Sequence, residues 1–383
     1  MGKLQEYLCL RDRDTFTIDP QKDSGLYFGR QELERQLKDR IQNDLLLRGV
    51  PKIIMQGPYG TGKTHTLYHV KHYMQHQLEW EQTLNIIVFS IGPLKARTPY
   101  QHLHRKFMDG LGRDAVQRLA EATVRRHVGP NLEENLREYF GDPALANAVR
   151  FLCLGGKAGL GAWRWLCGDK LNGTEQEMLN IAHNLSGTDE LVRVLINIGK
   201  LYADVEHTRT IFLIDEAEVL RELTDPGSID EFRWGFRELS DDKNRYVGFV
   251  LAYQVPGTGE DAVTWLEDPA ILTRLGGESG IFVIPYLSRV EDARQFIQDL
   301  LDALVDREAA RQAIEARNVS AAPETFPFTE EALRLIEQYV AEEDPRRALP
   351  RIIIGKMNEC AVSAFRERAA VIDEAIVSRT LWP

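Results

Sequence analysis

The stretch PKIIMQGPYGTGKTHTLYHVKHYM, residues 51–74, decides the fold of this chain. It opens with a short apolar run, Lys52–Met55, which is typical of a buried strand. The eight residues Gly57–Thr64 then match the pattern G-x-x-x-x-G-K-[ST] at every fixed position. A strand, a glycine-rich loop and a helix in this order predict a phosphate-binding loop, because backbone N–H groups and the positive end of the helix are directed at the ligand.

The residue types of the loop indicate how a nucleotide would be bound. Gly60 and Gly62 let the backbone curve around phosphate groups, and Lys63 is expected to reach the β- and γ-phosphates. Thr64 would offer its hydroxyl to Mg²⁺. The alternative is a tight glycine turn with a chance GKT sequence. The expected nucleotide contacts in this stretch are Gly57, Pro58, Tyr59, Gly60, Thr61, Gly62, Lys63, Thr64 and His65.

A second motif supplies acidic groups. Asp215 and Glu216 follow the apolar run Thr210–Ile214, so they stand at the end of a predicted strand. Asp215 would hold Mg²⁺ directly or through water, and Glu216 would orient and activate the attacking water. The alternative is a strand that ends in two solvated acids. Beside the phosphate loop, the pair predicts an ATPase that converts ATP and water to ADP and phosphate, with ATP and Mg²⁺ as cofactors.

Three more apolar runs predict strands at Asn85–Ser90, Tyr246–Tyr253 and Gly280–Ile284. Continuous β-branched and aromatic runs suit strands that are buried on both faces, and helical stretches separate them. The predicted fold class is therefore α/β, with a parallel sheet around the phosphate loop flanked by helices. Leucine and isoleucine spacing also predicts a helix over Leu26–Leu47.

The predicted organisation has four parts. The interval between Lys63 and Asp215 exceeds what two strands need, so it must contain an insertion, which reads as mostly helical. After Leu287 the pattern is helical, with caps expected at Ser288, Thr329 and Asp344. The expected boundaries are an N-terminal extension at 1–25, an α/β core at 26–96 and 188–286, an insertion at 97–187 and a helical lid at 287–383.

Composition restricts the functional classes. The chain has 383 residues, 43% of them hydrophobic, and a formal charge of −11. That charge disfavours coating of DNA by the whole surface but leaves local basic patches open. The four cysteines form no C-x-x-C pair, so neither a zinc site nor a disulfide framework is expected. The N-terminus is too polar for a signal peptide and no run has membrane length, which predicts a cytoplasmic protein without a membrane partner.

Three further segments resemble the AAA+ ATPases of the initiator, or origin-recognition, class. FGRQEL at Phe28–Leu33 resembles the GR-x-x-EL box of that class, and ILTRL at Ile271–Leu275, followed by IFVIPYLS, resembles its SR-f … f-pPY segment. DPRRAL at Asp344–Leu349 resembles its GD-x-R-x-AL lid motif. The resemblance implies an AAA+ core with a helical lid, ATP bound at subunit interfaces, and a homo-oligomer.

The resemblance also implies roles for single residues. Gly29 and Arg30 would lie near the adenine, and Gln254 or Tyr253 would occupy the sensor 1 position. The remaining roles concern arginines: Arg346 as sensor 2 with Arg347 as its alternative, and Arg274 as the finger that reaches the ATP of an adjacent subunit. Ordinary surface or ion-pair roles are the alternatives for the arginines. The implied catalytic set is Glu216, Lys63, Arg274 and Arg346.

Two departures bear on the biological role. Initiators usually carry a winged-helix DNA-binding domain after the lid, for which the sequence up to Pro383 leaves no room. The segment Trp163–Gly168, W-x-W-L-x-G, resembles ATPases of bacterial phage-defence islands, the BREX type among them. Core packing is the alternative explanation for Trp163 and Trp165.

Three functional hypotheses follow. The first is a DNA-associated oligomeric switch or motor that assembles on duplex DNA and recruits an effector protein, in a defence or mobile-element system. The second is a nucleotide-gated signalling or scaffold ATPase that docks a partner protein without DNA. The third is a protein-remodelling unfoldase.

Two clusters have both a functional and an ordinary interpretation. His65, His69, His72 and His76 recur on one helix face, where a metal site is conceivable, but solvated or interfacial positions are expected because no carboxylate or cysteine partner is evident. The basic stretch Arg118–Arg126 could meet nucleic-acid phosphates together with Arg105 and Lys106. A solvated helix face is its alternative.

Overall fold

A computed structural model describes residues 3–78, 83–92, 99–217, 225–255, 269–342 and 344–382. Five strands form one parallel sheet in the order β2-β3-β4-β1-β5. Each forms from one of the five predicted runs, so the predicted α/β class is confirmed. The strands are β1 Lys52–Gly57, β2 Leu84–Ser90, β3 Arg209–Asp215, β4 Val247–Gln254 and β5 Ile281–Val283.

The centre of the sheet is apolar on both faces. In β3, residues 211–214 are fully buried, and Leu213 pairs with Val88 of β2 and Val250 of β4. Strands covered on both sides need apolar side chains at successive positions, which explains the continuous runs in the sequence. The polar residue Asp215 comes only at the strand's last position.

Helices make up most of the remaining chain. They are α1 Lys3–Leu8, α2 Gln31–Arg48, α3 Lys63–His76, α4 Pro99–Leu111, α5 Arg113–Arg126, α6 Leu132–Phe140, α7 Pro143–Leu154, α8 Gly156–Leu166, α9 Gly173–Leu179, α10 Thr188–Val205, α11 Pro226–Leu239, α12 Pro269–Arg274, α13 Val290–Leu304, α14 Arg307–Arg317, α15 Glu330–Ala341, α16 Pro350–Glu367 and α17 Glu374–Leu381.

The predicted helix over Leu26–Leu47 is wrong at its start, because α2 begins only at Gln31. Gly29 adopts φ +65°, a left-handed conformation that an α-helix cannot contain, and its N–H donates to the Asp299 carboxylate at 2.8 Å. The segment before Gln31 is thus a turn held by the helical lid.

Of the three predicted helix caps, the structure shows side-chain capping at Thr329 and Asp344 but not at Ser288. The predicted cap at Ser288 is wrong, because the residue that precedes α13 is Arg289 and no side chain caps this helix. Thr329 does cap α15, accepting the Ala332 N–H at 3.2 Å. Asp344 accepts the Arg346 N–H at 3.0 Å, but the segment it caps is the short 3-10 turn Pro345–Ala348 and not an α-helix.

The chain divides into two compact units. The first comprises Met1–Lys38, Gly57–Tyr73 and Val283–Pro383, and the second Asp39–Gln56 and Met74–Phe282. The first unit therefore joins the N-terminal extension and the phosphate loop to the lid helices. Leu8 and Phe16 of the extension are fully buried in the core of this unit.

The second unit contains the sheet and helices α4–α12. Helices α4–α9 occupy most of the predicted insertion, which confirms its helical character; residue 97, its predicted start, lies outside the described residues. Trp163 and Trp165 are buried, and the Trp165 indole N–H donates to the carbonyl of His183 at 3.1 Å. Their observed role is core packing. None of the helices described is long and apolar enough to cross a membrane.

Candidate nucleotide-binding site

The loop after β1 has a backbone that only glycine accommodates readily. Gly60 and Gly62 adopt φ of +83° and +94°. A Cβ at Gly57 would lie 2.7 Å from the carbonyl oxygen of Ile284, so this position excludes a side chain. The sequence pattern of glycines is therefore matched by the conformation that a phosphate-cradling loop requires.

Lys63 is the first residue of α3, and its side chain turns back over the loop. Its ammonium donates to the carbonyl oxygens of Gly57 at 3.1 Å and Pro58 at 2.9 Å, and the residue is 9% exposed. Thr61 is buried, and its hydroxyl donates to the same Pro58 carbonyl at 2.8 Å. Thr64 follows as the second residue of the helix. These contacts place a positive charge inside the curve of the loop.

Arg30 supports the loop with both arms of its guanidinium. Nη1 donates to the Thr61 carbonyl at 2.6 Å and Nη2 to the Pro285 carbonyl at 2.7 Å. Burial lowers the pKa of Arg30 from its ordinary value, although an arginine stays charged at neutral pH. Arg30 therefore connects the loop, through Thr61, to the segment at Pro285 that leads into the lid.

The histidines of α3 are more engaged than predicted. His69 is buried, with Nδ1 2.9 Å from the Ser24 carbonyl and Nε2 2.8 Å from the Glu34 carboxylate. Both ring nitrogens of His69 are therefore engaged. The hydrogen bond from His69 is the main reason that the pKa of Glu34 falls to about 2. The expectation of a solvated position is wrong for His69, and its partner is the carboxylate of Glu34.

His65 is half-buried beside the same segment. Its Nε2 lies 2.7 Å from the Leu26 carbonyl, and burial lowers the pKa of its imidazole. Tyr27 stacks on His69 with ring centroids 4.6 Å apart, and its hydroxyl bonds to that of Thr66 at 3.1 Å. The described residues contain no group of three or more His, Cys, Asp or Glu side chains that could hold a metal ion. These side chains fasten residues 24–30 to the phosphate-loop helix.

The acidic motif sits in the second unit. Asp215 is the last residue of β3, and its carboxylate accepts the N–H of Glu216 at 2.9 Å. Glu216 is exposed and adopts φ +56°, which is unusual for a residue with a side chain. Strain of this kind is frequent at functional sites, and here it turns the chain sharply after the strand.

The residues present fit a magnesium nucleotide. The left-handed glycines and the turned-back Lys63 form the cradle and charge that phosphates need. Thr64 in the first unit and Asp215 in the second each carry a hard oxygen donor of the kind that Mg²⁺ prefers.

Comparisons with known proteins bear on the fold. No protein-family model matches the sequence, and no curated protein matches it. The solved structure of the Aeropyrum pernix ORC2 protein, in ADPNP–ADP complexes, matches with a TM-score of 0.53 and 14% identity, covering 97% of this chain and 72% of that one. The fold of this chain is therefore similar to that of the ORC2 protein.

Two other solved structures are less similar. The Aeropyrum pernix ORC1 protein in complex with DNA matches with a TM-score of 0.48 and 13% identity over 99% of this chain and 68% of that one. The Thermotoga maritima RuvB Holliday junction branch migration motor matches with a TM-score of 0.38 and 13% identity over 92% and 69%.

The sequence resemblance predicts a sensor 1 residue at the end of β4, either Tyr253 or Gln254. Tyr253 is fully buried in the core of the second unit, whereas Gln254, the last residue of β4, is half-buried. Successive strand residues point to opposite faces, so only one of the two can face a ligand. The burial of Tyr253 favours Gln254 for this position.

Arg274, the predicted finger, is the last residue of helix α12. Its Nη1 donates to the Ala270 carbonyl at 3.0 Å, and its Nε lies 3.7 Å from the Asp241 carboxylate. Arg48 of α2 donates to the Arg274 carbonyl at 3.0 Å, and Arg40 donates to the next carbonyl, that of Leu275, at 2.5 Å. Two arginines that sequence reasoning did not single out therefore fix the end of the helix that carries Arg274.

The arginines of the lid motif are paired within the lid. Arg346 is 81% exposed and bidentate on Asp344, with two N–O distances of 2.9 Å. Arg347 forms an ion pair with Glu342 and lies 4.3 Å from the ring centroid of Tyr339.

A different lid arginine, Arg351, lies at the phosphate loop, where its Nη1 is 2.9 Å from the Tyr59 hydroxyl. Sequence reasoning missed it because it falls outside the lid motif.

The basic stretch in α5 resembles an ordinary helix surface. Arg125 lies 3.6 Å from the carboxylate of Glu121, one turn earlier, and Arg126 donates to the Asp204 carbonyl at 2.5 Å. Arg105 pairs with Asp109 at 3.0 Å and Asp169 at 2.8 Å. Charges that are paired in this way do not by themselves form a nucleic-acid patch, which favours the solvated-face interpretation.

Proposed function

We propose that this chain binds ATP with Mg²⁺ and hydrolyses it. The observation that carries the proposal is the conformation of the phosphate loop: left-handed glycines at 60 and 62, with Lys63 opening α3 and folded back over the loop. The AAA+ fold supports it.

Each residue has a role that follows from its chemistry. Lys63 exchanges its hydrogen bonds to Gly57 and Pro58 for stronger ones to charged phosphate oxygens. Thr64 and Asp215 hold Mg²⁺, which neutralises charge on the phosphates. Glu216 orients the attacking water and accepts its proton. Gln254 binds that water or the terminal phosphate, and Arg30 keeps the loop in its binding conformation.

At the level of assembly, the proposal is a homo-oligomer with ATP at the subunit interfaces, where Arg274 of one subunit completes the site of the next. The origin-recognition form of the fold supports association with duplex DNA as the setting for assembly. Recruitment of an effector protein, in a defence or mobile-element system, is the remaining part of the proposal. Docking of a partner protein without DNA is the competing hypothesis.

Steady-state ATP turnover, measured at several protein concentrations with and without duplex DNA, tests the proposal. A rate per subunit that rises with protein concentration and rises again with DNA supports a composite site assembled on DNA. A measurable rate that responds to neither supports a nucleotide-gated scaffold. Absence of both turnover and ATP binding would refute the assignment of the loop itself.

A further inference from the structure

The exposed tip of the phosphate loop is contacted by the lid. Tyr59 is 63% exposed, and its hydroxyl accepts a hydrogen bond of 2.9 Å from Nη1 of Arg351. The guanidinium carbon lies 5.9 Å from the centroid of the Tyr59 ring. Leu349 lies 3.5 Å from the place that a Cβ at Gly60 would take. Two successive loop residues thus meet the start of helix α16 within one compact unit.

The Arg351 side chain is held by weaker contacts than a phosphate would offer. It is exposed, and its described contacts are with Tyr59, a neutral acceptor and an aromatic ring. A hydrogen bond to a neutral hydroxyl is weaker than one to an anionic phosphate oxygen, and the planar guanidinium can grip two such oxygens at once. A phosphate bound in the loop would therefore draw Arg351 away from Tyr59.

Arg346 is placed differently. Its Nε and Nη2 both donate to Asp344, whose carboxylate also caps the turn through the Arg346 N–H. Releasing this arginine would break a bidentate ion pair and leave the Asp344 carboxylate with only its bond to the backbone N–H. In the described structure its side chain is directed to its own turn, whereas that of Arg351 is directed to the loop.

We infer that Arg351, and not Arg346, is the lid arginine that contacts the terminal phosphate of a bound nucleoside triphosphate. The inference rests on the proposed function of the loop. Because a diphosphate lacks the terminal phosphate, Arg351 distinguishes the two nucleotide states. Helix α16 carries Ile353 and Met357 into the buried core of the lid, so the contact made by Arg351 links that distinction to the lid helices.

The test is a comparison of nucleotide affinities in the full-length chain. Fluorescent analogues of ATPγS and ADP are titrated against the wild type, Arg351→Ala and Arg351→Lys in the presence of Mg²⁺. Arg351→Ala should weaken binding of the triphosphate about 10-fold or more, as expected for loss of a charge-assisted contact, and change ADP binding less than about 2-fold. Arg351→Lys keeps the charge but loses the forked guanidinium. Its affinity for the triphosphate should lie between those of the wild type and Arg351→Ala.

Arg366→Ala is the matched control, since it removes the same charge from the far end of α16. It should bind both analogues like the wild type. Thermal melting of each variant checks the fold, and an exposed residue such as Arg351 should shift the melting temperature little.

Three outcomes overturn the inference while leaving the proposed function intact: unchanged affinities in Arg351→Ala, equal loss for both nucleotides, or a selective loss of triphosphate binding in Arg346→Ala instead. A wild type that binds neither analogue refutes the proposed function, and the inference with it. The two failures are therefore distinguishable.

Discussion

The guanidinium of Arg30 donates a hydrogen bond of 2.6 Å to the carbonyl oxygen of Thr61, in the middle of the phosphate loop. Its other arm donates to the Pro285 carbonyl at 2.7 Å. One side chain before α2 therefore fixes both the loop and the segment that leads to the lid. A planar fork can span two carbonyls in this way, whereas a lysine ammonium acts as a single point charge.

Arg30→Lys is expected to weaken ATP binding about 10-fold, because the loop loses one of its two supporting bonds. Arg30→Ala should also destabilise the fold by about 2 kcal/mol, since the Thr61 and Pro285 carbonyls lose a charged donor. Calorimetric titration and thermal melting measure the two effects. Arg35→Lys is the control, because Arg35 forms an exposed ion pair with Glu32 and both residues lie on α2. If Arg30→Lys and Arg35→Lys bind ATP with equal affinity, Arg30 does not support the loop.

Lys63→Ala should abolish ATP binding or reduce it by about 100-fold, because the positive charge inside the loop is lost. Filter binding with radiolabelled ATP measures this directly. Unchanged binding would show that the loop does not hold phosphates.

Glu216→Gln should preserve ATP binding and lower turnover about 100-fold or more, because an amide cannot accept the proton of water. Phosphate release under saturating ATP is the measurement. Glu206→Gln, an exposed carboxylate at the end of α10, should turn over ATP like the wild type. Wild-type turnover in Glu216→Gln would exclude it as the base.

Arg274→Ala should cut turnover about 100-fold or more while ATP binding stays unchanged, since a finger acts on the site of a neighbouring subunit. The decisive measurement mixes Arg274→Ala subunits with Lys63→Ala subunits. Each variant lacks a different half of a composite site, so mixing should restore turnover above that of either alone. If the mixture stays as inactive as its components, the site is not shared in this manner.

Lys52 gives a prediction about pH. It is fully buried in β1, its ammonium donates to the Asp241 carbonyl at 2.6 Å, and burial lowers its pKa to about 8. Between about pH 8 and its ordinary value of 10.5, the unfolded chain holds a proton that the folded chain has released. The contribution of Lys52 to the free energy of unfolding therefore rises with pH across this window, by at most about 3 kcal/mol.

Urea unfolding of the wild type and Lys52→Met at about pH 7.5, 8.5 and 9.5 measures this slope as the difference between the two proteins. The stability of the wild type relative to the variant should increase with pH. The exposed Lys243→Met variant should show no such trend. A difference that stays constant or decreases would mean that Lys52 keeps its proton throughout.

How much could be foreseen depends on how local each feature is. The strands and the phosphate loop were predictable because each is a contiguous run whose burial pattern or backbone geometry is encoded in its own residues. The start of α2 was not, because Gly29 is turned by Asp299, which is distant in the sequence. The hydrogen bond between His69 and Glu34 was likewise not predictable, because the helical spacing of the histidines does not reveal this partner.

By itself, the sequence determined the α/β core, the glycine-rich loop after β1 and the acidic end of β3, and it predicted a helical insertion and a helical lid. Only the tertiary structure decided which arginine belongs to which partner. Arg351 and Tyr59 are 292 positions apart, so chain folding alone brings the lid arginine to the loop. Arginines look alike in a sequence motif, and what separates them is the geometry of the acceptors around each guanidinium.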